Sequence, residues 1–260
     1  MTTSAHALSC DELSITLNGA VATLEMNRPH VMNAFDRAQR HRLDTALRAL
    51  DVDDTVRVLV LTGRGRAFCA GQDQHESAAM DAAASAQRID DYMALYRTLR
   101  ALRKPIIARV NGVAAGAGLQ IALMADLRIA SAAARIGMTE LKVGSVAVTG
   151  SFLLQAHVGE AAMRRLVLLA EVLDAQQSLQ LGLLHEVHAE DALDARIAAL
   201  GAQLATLAPG PLALTKQWWS AMSNDAFEAA AAAAKAAHAA NFASGTYSAG
   251  AQRFSRRSRE

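Results

Sequence analysis

Val56-Arg57-Val58-Leu59-Val60-Leu61-Thr62-Gly63 runs directly into Arg64-Gly65-Arg66-Ala67-Phe68-Cys69-Ala70-Gly71-Gln72-Asp73. The run from Val56 to Leu61 is short and dominated by β-branched and leucine side chains, and Thr62-Gly63 closes it. A strand with one wet face would alternate with polar residues, so this pattern reads as a strand of a sheet covered on both faces. The segment after it is a glycine-rich loop that leads to a helix. Glycine lets the main chain take positive φ and lets a ligand approach closely, and the first amides of a helix have no intrahelical partner. Such N–H groups can receive negative charge, although glycine after a strand is equally the mark of a plain turn.

The same punctuation recurs on both sides. Upstream, Leu13 to Leu24 alternates around Asn18-Gly19, which reads as a hairpin. From Asp36 to Leu50, Leu43, Ala46, Leu47 and Leu50 recur at helical spacing, with Asp36 placed as the cap. Downstream, Asp90 to Leu102 is amphipathic, Pro105 stops the helix, and Ile106 to Val110 makes another strand closed by Asn111-Gly112. A second glycine-rich loop ends in Gly116-Ala117-Gly118. Leu119 to Ala125 then reads as helix, Leu127 to Ala130 as strand and Leu184 to Val187 as the last strand. The chain is thus expected to be α/β, a coil of repeated strand-strand-helix units to about residue 190. Helices follow at Asp191 to Leu207, Pro211 to Met222 and through the alanine-rich run to Asn241, so a core over 1–195 and a helical region over 196–260 are expected.

The chain has 260 residues, 52% of them hydrophobic and 20% charged, with a formal net charge of +1. This composition fits an ordered globular protein, and the charge supplies no broad field for nucleic acid or an anionic membrane. Arg253, Arg256, Arg257 and Arg259 cluster around Phe254, a grouping open to reading as a solvated tail or as a phosphate contact. Cys10 and Cys69 form neither a disulfide framework nor a metal-ligand pattern, which points to a reducing compartment and no metal. No basic start leads into an apolar run, and no apolar stretch reaches the roughly 18 residues of a membrane span. A soluble, cytoplasmic protein is expected.

Asn27-Arg28-Pro29 with Asn33-Ala34, Val58 to Gly63, Arg66 to Asp73, Pro105-Ile106 with Val110-Asn111-Gly112, and Ala125-Asp126-Leu127-Arg128-Ile129-Ala130 stand in an order and at spacings that resemble the crotonase (enoyl-CoA hydratase/isomerase) superfamily. The resemblance covers roughly residues 13 to 190, with Gly182-Leu183-Leu184 before Val187 as the late strand and a weaker echo in Gly250 to Arg257. It implies a crotonase-like spiral of ββα units, with a helical C-terminal region that builds homotrimers or dimers of trimers. It also implies an acyl-CoA thioester as ligand, so that coenzyme A is part of the substrate and no separate cofactor is needed. By the same resemblance the backbone amides of Gln72 and Ala117 form an oxyanion hole for the thioester enolate. Glu140 stands at the family's second acid/base position and Gln120 at its first. Contacts to CoA are implied for Arg28, Val31, Ala70, Gly71, Asp73, Gln74 and Gly116, and for Phe254, Arg256 and Arg257.

Three positions depart from the family's pattern. Gln120 replaces a glutamate, His30-Val31 stands where a basic residue usually follows the Asn-Arg-Pro motif, and Ser145 to Gly150 replaces a Pro-Gly-Ala-Gly-Gly stretch. A glutamine cannot take a proton, though it can orient a water, so proton transfer falls to Glu140. One base suits isomerisation better than hydration, while hydration with Glu140 serving both steps stays open. The loss of a carboxylate also raises a catalytically silent CoA-ester-binding or scaffold protein. Gly116-Ala117-Gly118 opening a helix with Glu140 further on raises an NAD-binding oxidoreductase, against which Ile121 is too bulky for the third glycine position.

Residue by residue, plainer readings stand beside these. Glu140 can be a solvated carboxylate, and Gln120 can serve structural hydrogen bonding. His75 and His157 lack metal-ligand spacing. Asp126 reads as a strand-edge carboxylate, and Trp218-Trp219 as core or subunit interface.

Overall fold

The computed structural model describes residues 8–250 and places the strands in two sheets. The larger has the order β1 (Leu13–Asn18), β2 (Val21–Met26), β3 (Val58–Gly63), β5 (Ile106–Val110), β7 (Leu127–Ser131), β10 (Glu186–His188). The smaller runs β4 (Ala67–Cys69), β6 (Val113–Ala115), β8 (Arg135–Gly137), β9 (Val172–Asp174). From β3 to β8 successive strands alternate between the sheets, and helices return the chain, which makes the α/β spiral of ββα units. The late strand lies at Glu186–His188, slightly beyond the expected Leu184 to Val187. The first unit is different, since β1 and β2 form an antiparallel hairpin within the larger sheet. Asn18 pairs with Val21, so the two-residue turn is Gly19-Ala20, one position later than expected. Gly19 takes the positive φ that the first turn position requires (φ +56).

Helix α1 (Arg37–Val52) starts where Asp36 accepts from the Gln39 amide, and it buries Leu43, Ala46, Leu47 and Leu50. The short α2 (Gln74–Ala79) is capped by Asp73, and α3 (Ala82–Ala101) by Asp81. That second cap starts α3 well before Asp90. After α4 (Ala117–Met124) come α5 (Val148–Leu168), broken at Gly159, and α6 (Ala175–Gln180). Glu190–Ala205, Pro209–Met222 and Asn224–Ala243 form α7, α8 and α9.

β3 is buried on both faces, as its unbroken apolar run implied. Leu59 and Leu61 join the main core, while Val58 and Val60 meet Ile107, Ile129 and the α7 residues Leu193, Ile197 and Leu200. A boundary at 195 therefore cuts α7 between side chains that cover the same sheet. Nor is the remainder a separate body, because Phe227, Ala231 and Ala234 bury α9 against α3 and α5. Burying a side chain such as Phe227 contributes about 1.5–3 kcal/mol. Trp218 and Trp219 are 65% and 55% exposed, so they are not core of this chain. With Leu214 and Met222 they leave α8 an apolar outer face.

Candidate active site

β4 and β6 are parallel neighbours, with Cys69 opposite Ala114, so the two glycine-rich segments leave the small sheet side by side. Their backbones touch. Gly71 sits at φ +98, and a Cβ there would lie 2.7 Å from the Ala115 carbonyl oxygen and 3.3 Å from the Ala117 nitrogen. Only glycine suits both the angle and the space. The flanking amides are engaged: Gly116 N–H donates to the Gly137 carbonyl (3.0 Å) and Asp73 N–H to the Phe35 carbonyl (3.0 Å). By contrast, the N–H groups of Gln72 and Ala117 have no acceptor among the described residues. Ala117 opens α4 and is not among the residues with positive φ, so alanine fits where the resemblance has glycine.

Both segments line a cavity of about 320 Å³. Of the residues singled out from sequence, Val31, Ala70, Gly71, Gln72, Asp73, Gln74, Gly116, Ala117, Gln120 and Glu140 all border it. Glu140 opens a 3-10 turn, Glu140–Val143, which follows β8 closely. Its carboxyl rests on Gly116, where a Cβ would stand 3.5 Å from Oε1. Oε1 accepts a 2.8 Å hydrogen bond from Gln120 Nε2, while Oε2 is enclosed and has no partner among the described residues. Burial pushes the Glu140 carboxyl up to about 7, offset in part by hydrogen bonds from its own backbone and from Gln120.

Gln120 is held from the other side. Its Oε1 accepts from the Tyr96 hydroxyl (3.1 Å) and the Thr149 hydroxyl (3.0 Å), which occupies both lone pairs and fixes the amide with its NH2 towards Glu140. No lone pair is left to accept from a water, so the structural reading of Gln120 fits better than the water-orienting one. Gln72 is fixed in a similar way. Its Oε1 accepts from Arg40 (3.1 Å) and the Tyr92 hydroxyl (2.9 Å), and its Nε2 donates to Glu76 (2.6 Å).

Arg28 requires a correction. Its guanidinium lies 3.0 Å from Asp36 and 3.2 Å from Asp73 and donates to the Ala34 carbonyl (2.6 Å); it is buried and does not line the cavity. Asn33 donates to the carbonyls of Arg64 (3.0 Å) and Ala67 (2.7 Å), so the Asn-Arg-Pro and Asn-Ala motifs brace the first loop from behind. Asp126 accepts from the Ile106 amide (2.8 Å) and pairs with Lys216, which bears out its strand-edge reading. Phe254, Arg256 and Arg257 lie outside the described residues. Among the described residues no group of three or more His, Cys, Asp or Glu could hold a metal ion. Tyr92, Tyr96 and Thr149 were missed from sequence; the four-residue spacing of the two tyrosines on one amphipathic helix is the signal that was available. Arg66, exposed at the rim, and Arg88, buried in the wall, also line the cavity.

A ββα spiral with a buried carboxyl and two free amides at one cavity is the architecture of a crotonase-fold enzyme. The sequence model of the enoyl-CoA hydratase/isomerase family matches residues 16–259, and the chain belongs to that family. A 1,2-epoxyphenylacetyl-CoA isomerase of Escherichia coli K12 is 38% identical over 204 residues, 76% of this chain and 77% of that one. A 2,3-dehydroadipyl-CoA hydratase of the same organism is 35% identical over 207 residues, covering 79% and 80%. The crystal structure of an enoyl-CoA hydratase from Mycobacterium avium subsp. paratuberculosis K-10 superposes with a TM-score of 0.85 at 27% identity, over 95% of this chain and 96% of that one. The protein is thus an acyl-CoA-processing enzyme. With strands divided between two sheets, the dinucleotide-binding reading of Gly116-Ala117-Gly118 falls away.

Proposed function

We propose that the chain moves a proton on an enoyl-CoA thioester, with Glu140 as the single acid/base and the N–H groups of Gln72 and Ala117 as the oxyanion hole. One observation carries the reading: the partnerless Oε2 of Glu140 borders the same cavity as two amides that lack acceptors. Two donors aimed at one oxygen stabilise the enolate more than the neutral thioester, and losing one such donor costs about 2.7–4 kcal/mol of transition-state stabilisation. A carboxyl titrating near 7 can remove a proton from one carbon and return it to another at neutral pH. With both lone pairs of the Gln120 oxygen taken, it cannot accept from a water, and shifting a double bond with one base is favoured over adding a water.

Val31, Ala70, Gly71, Asp73, Gln74 and Gly116 shape the cavity around the thioester, and the exposed Arg66 stands at the rim where CoA phosphates would meet it. The apolar face of α8 supports assembly into a homotrimer or dimer of trimers, which light scattering would measure. The test of function is ultraviolet absorbance and product mass with 3-enoyl- and 2-enoyl-CoA substrates. Conversion of 3-enoyl- to 2-enoyl-CoA is expected to exceed hydration. Saturable CoA-ester binding with no conversion of either would put a silent binding protein in its place.

A further inference from the structure

Arg88 lies on α3, is 4% exposed and lines the cavity. All its partners are neutral. Nη1 donates to the Tyr247 hydroxyl (2.8 Å), Nη2 meets His238 Nδ1 (3.4 Å), and the guanidinium carbon stands 4.7 Å from the centre of the Tyr247 ring. Tyr247 spends its own hydrogen on Ser77 (2.6 Å), and Arg88 Nε has no partner among the described residues. No carboxylate lies within ion-pairing distance of Arg88 among the described residues. Asp91 is engaged by Arg37, Arg40 and His41, Asp73 by Arg28, and Glu76 by Arg40. A buried cation without an anion is costly, and a guanidinium stays charged in any protein. His238 does not add a second charge, since burial and then Arg88 hold it down to about 3. As a neutral ring accepting at Nδ1, it keeps its proton on Nε2 and remains a donor.

The position of Arg88 selects the missing anion. Arg88, Tyr92 and Tyr96 succeed one another at four-residue steps on α3, and all three line the cavity. The Tyr96 hydroxyl holds Gln120, which holds Glu140, and the Tyr92 hydroxyl holds Gln72. Arg88 is one turn beyond Tyr92, which holds Gln72, or about 6 Å along the helix axis. That is the reach of a short acyl chain from a thioester seated at Gln72. CoA phosphates stand at the far end of the long pantetheine arm, where the exposed Arg66 would suit them better.

We infer that the acyl group carries a carboxylate distal to the thioester, which Arg88 receives with His238 as a second donor. The inference rests on the acyl-CoA reading above and names its substrate class, a dicarboxylic acid linked to CoA through one carboxyl. The test is calorimetric binding of glutaryl-, adipyl- and suberyl-CoA, each against its mono-acid partner, pentanoyl-, hexanoyl- or octanoyl-CoA. For at least one pair the dioic ester is expected to bind about ten- to a hundredfold tighter, the worth of a hydrogen bond to a charged group. Arg88→Met is expected to bring that ratio to about one, and the ω-methyl ester of the preferred ligand to do the same on the unaltered protein. The methyl ester keeps the test decisive if Arg88→Met does not fold. Ratios near one for every pair on the unaltered protein would overturn the inference and leave the acyl-CoA reading standing. So would a ratio that survives the loss of Arg88. Failure of every CoA ester to bind would instead remove the acyl-CoA reading itself.

Discussion

Behind the first glycine-rich loop, Arg28 lies among three carboxylates, Asp36 at 3.0 Å, Asp73 at 3.2 Å and Glu12 at 3.8 Å. Across the cavity, Glu140 faces no cation among the described residues: it has the Gln120 amide and its own backbone, and an oxygen without a partner. Both clusters bury charge, but the first is matched and the second is not. Matched charge fixes geometry, since neither partner can move without stranding the other. Unmatched charge leaves a carboxyl near the pH at which it can both give and take a proton. At the cavity, the proposed roles fall on the two buried groups whose counter-charge is missing, Glu140 and Arg88, whatever motif each belongs to. Arg28 lies in a family motif and braces the fold; Arg88 lies in none and faces the cavity.

The largest effect is expected for Glu140→Gln. Turnover is expected to fall by about 10²- to 10⁴-fold in steady-state assays, with CoA-ester affinity changed only severalfold. The same substitution tests the sign of the burial effect. A carboxyl raised from 4.5 to about 7 on folding binds more protons in the native than in the unfolded state, so it lowers stability as pH rises through that window. Glu140→Gln should therefore be more stable than the unaltered protein at pH 8, by about 3 kcal/mol, with the difference fading towards pH 5 in denaturant titrations. If stability is equal at both pH values, the carboxyl is not held in its unmatched state.

Arg28→Met probes the matched side. It strands Asp73 and is expected to cost about 3–5 kcal/mol of stability by denaturant midpoint, while the midpoint of the pH–rate profile stays in place. Gly71→Ala should cost about 1–3 kcal/mol as strain at the loop junction and lower kcat more than it raises KM, because it pushes apart the two backbones that carry the free amides. The smallest effect is expected for Gln120→Ala. The Gln120 hydrogen bond lowers the Glu140 carboxyl against the effect of burial, so its loss should raise the kcat/KM midpoint above that of the unaltered enzyme and slow turnover severalfold. An unmoved midpoint would make Gln120 a packing residue only.

Much of the fold was legible where periodicity or punctuation is strong. The two-faced burial of β3, the Asp36 cap and the stop at Pro105 follow from local chemistry. The strands of the smaller sheet were not legible, because three-residue strands such as Ala67–Cys69 and Val113–Ala115 are too short to show alternation and read as glycine-rich loops. The early start of α3 was hidden because the pattern from Ala82 to Ala86 is nearly uniform alanine, which carries no period. In the site, Glu140, Gln120, Gln72 and Ala117 could be named from motif order. Tyr92 and Tyr96 offered only a four-residue spacing on one helix, and Thr149 offered nothing, since a hydroxyl that fixes an amide follows no spacing rule.

Local chemistry in the sequence marks where the longer strands and helices begin and end, because apolar runs, caps and turn residues act within a few neighbours along the chain. Which buried charges are cancelled depends on contacts that only folding makes. Asp73 lies 45 positions from Arg28 and meets it, Asp91 lies three from Arg88 and is taken by others, and only the folded arrangement of distant side chains separates the two cases.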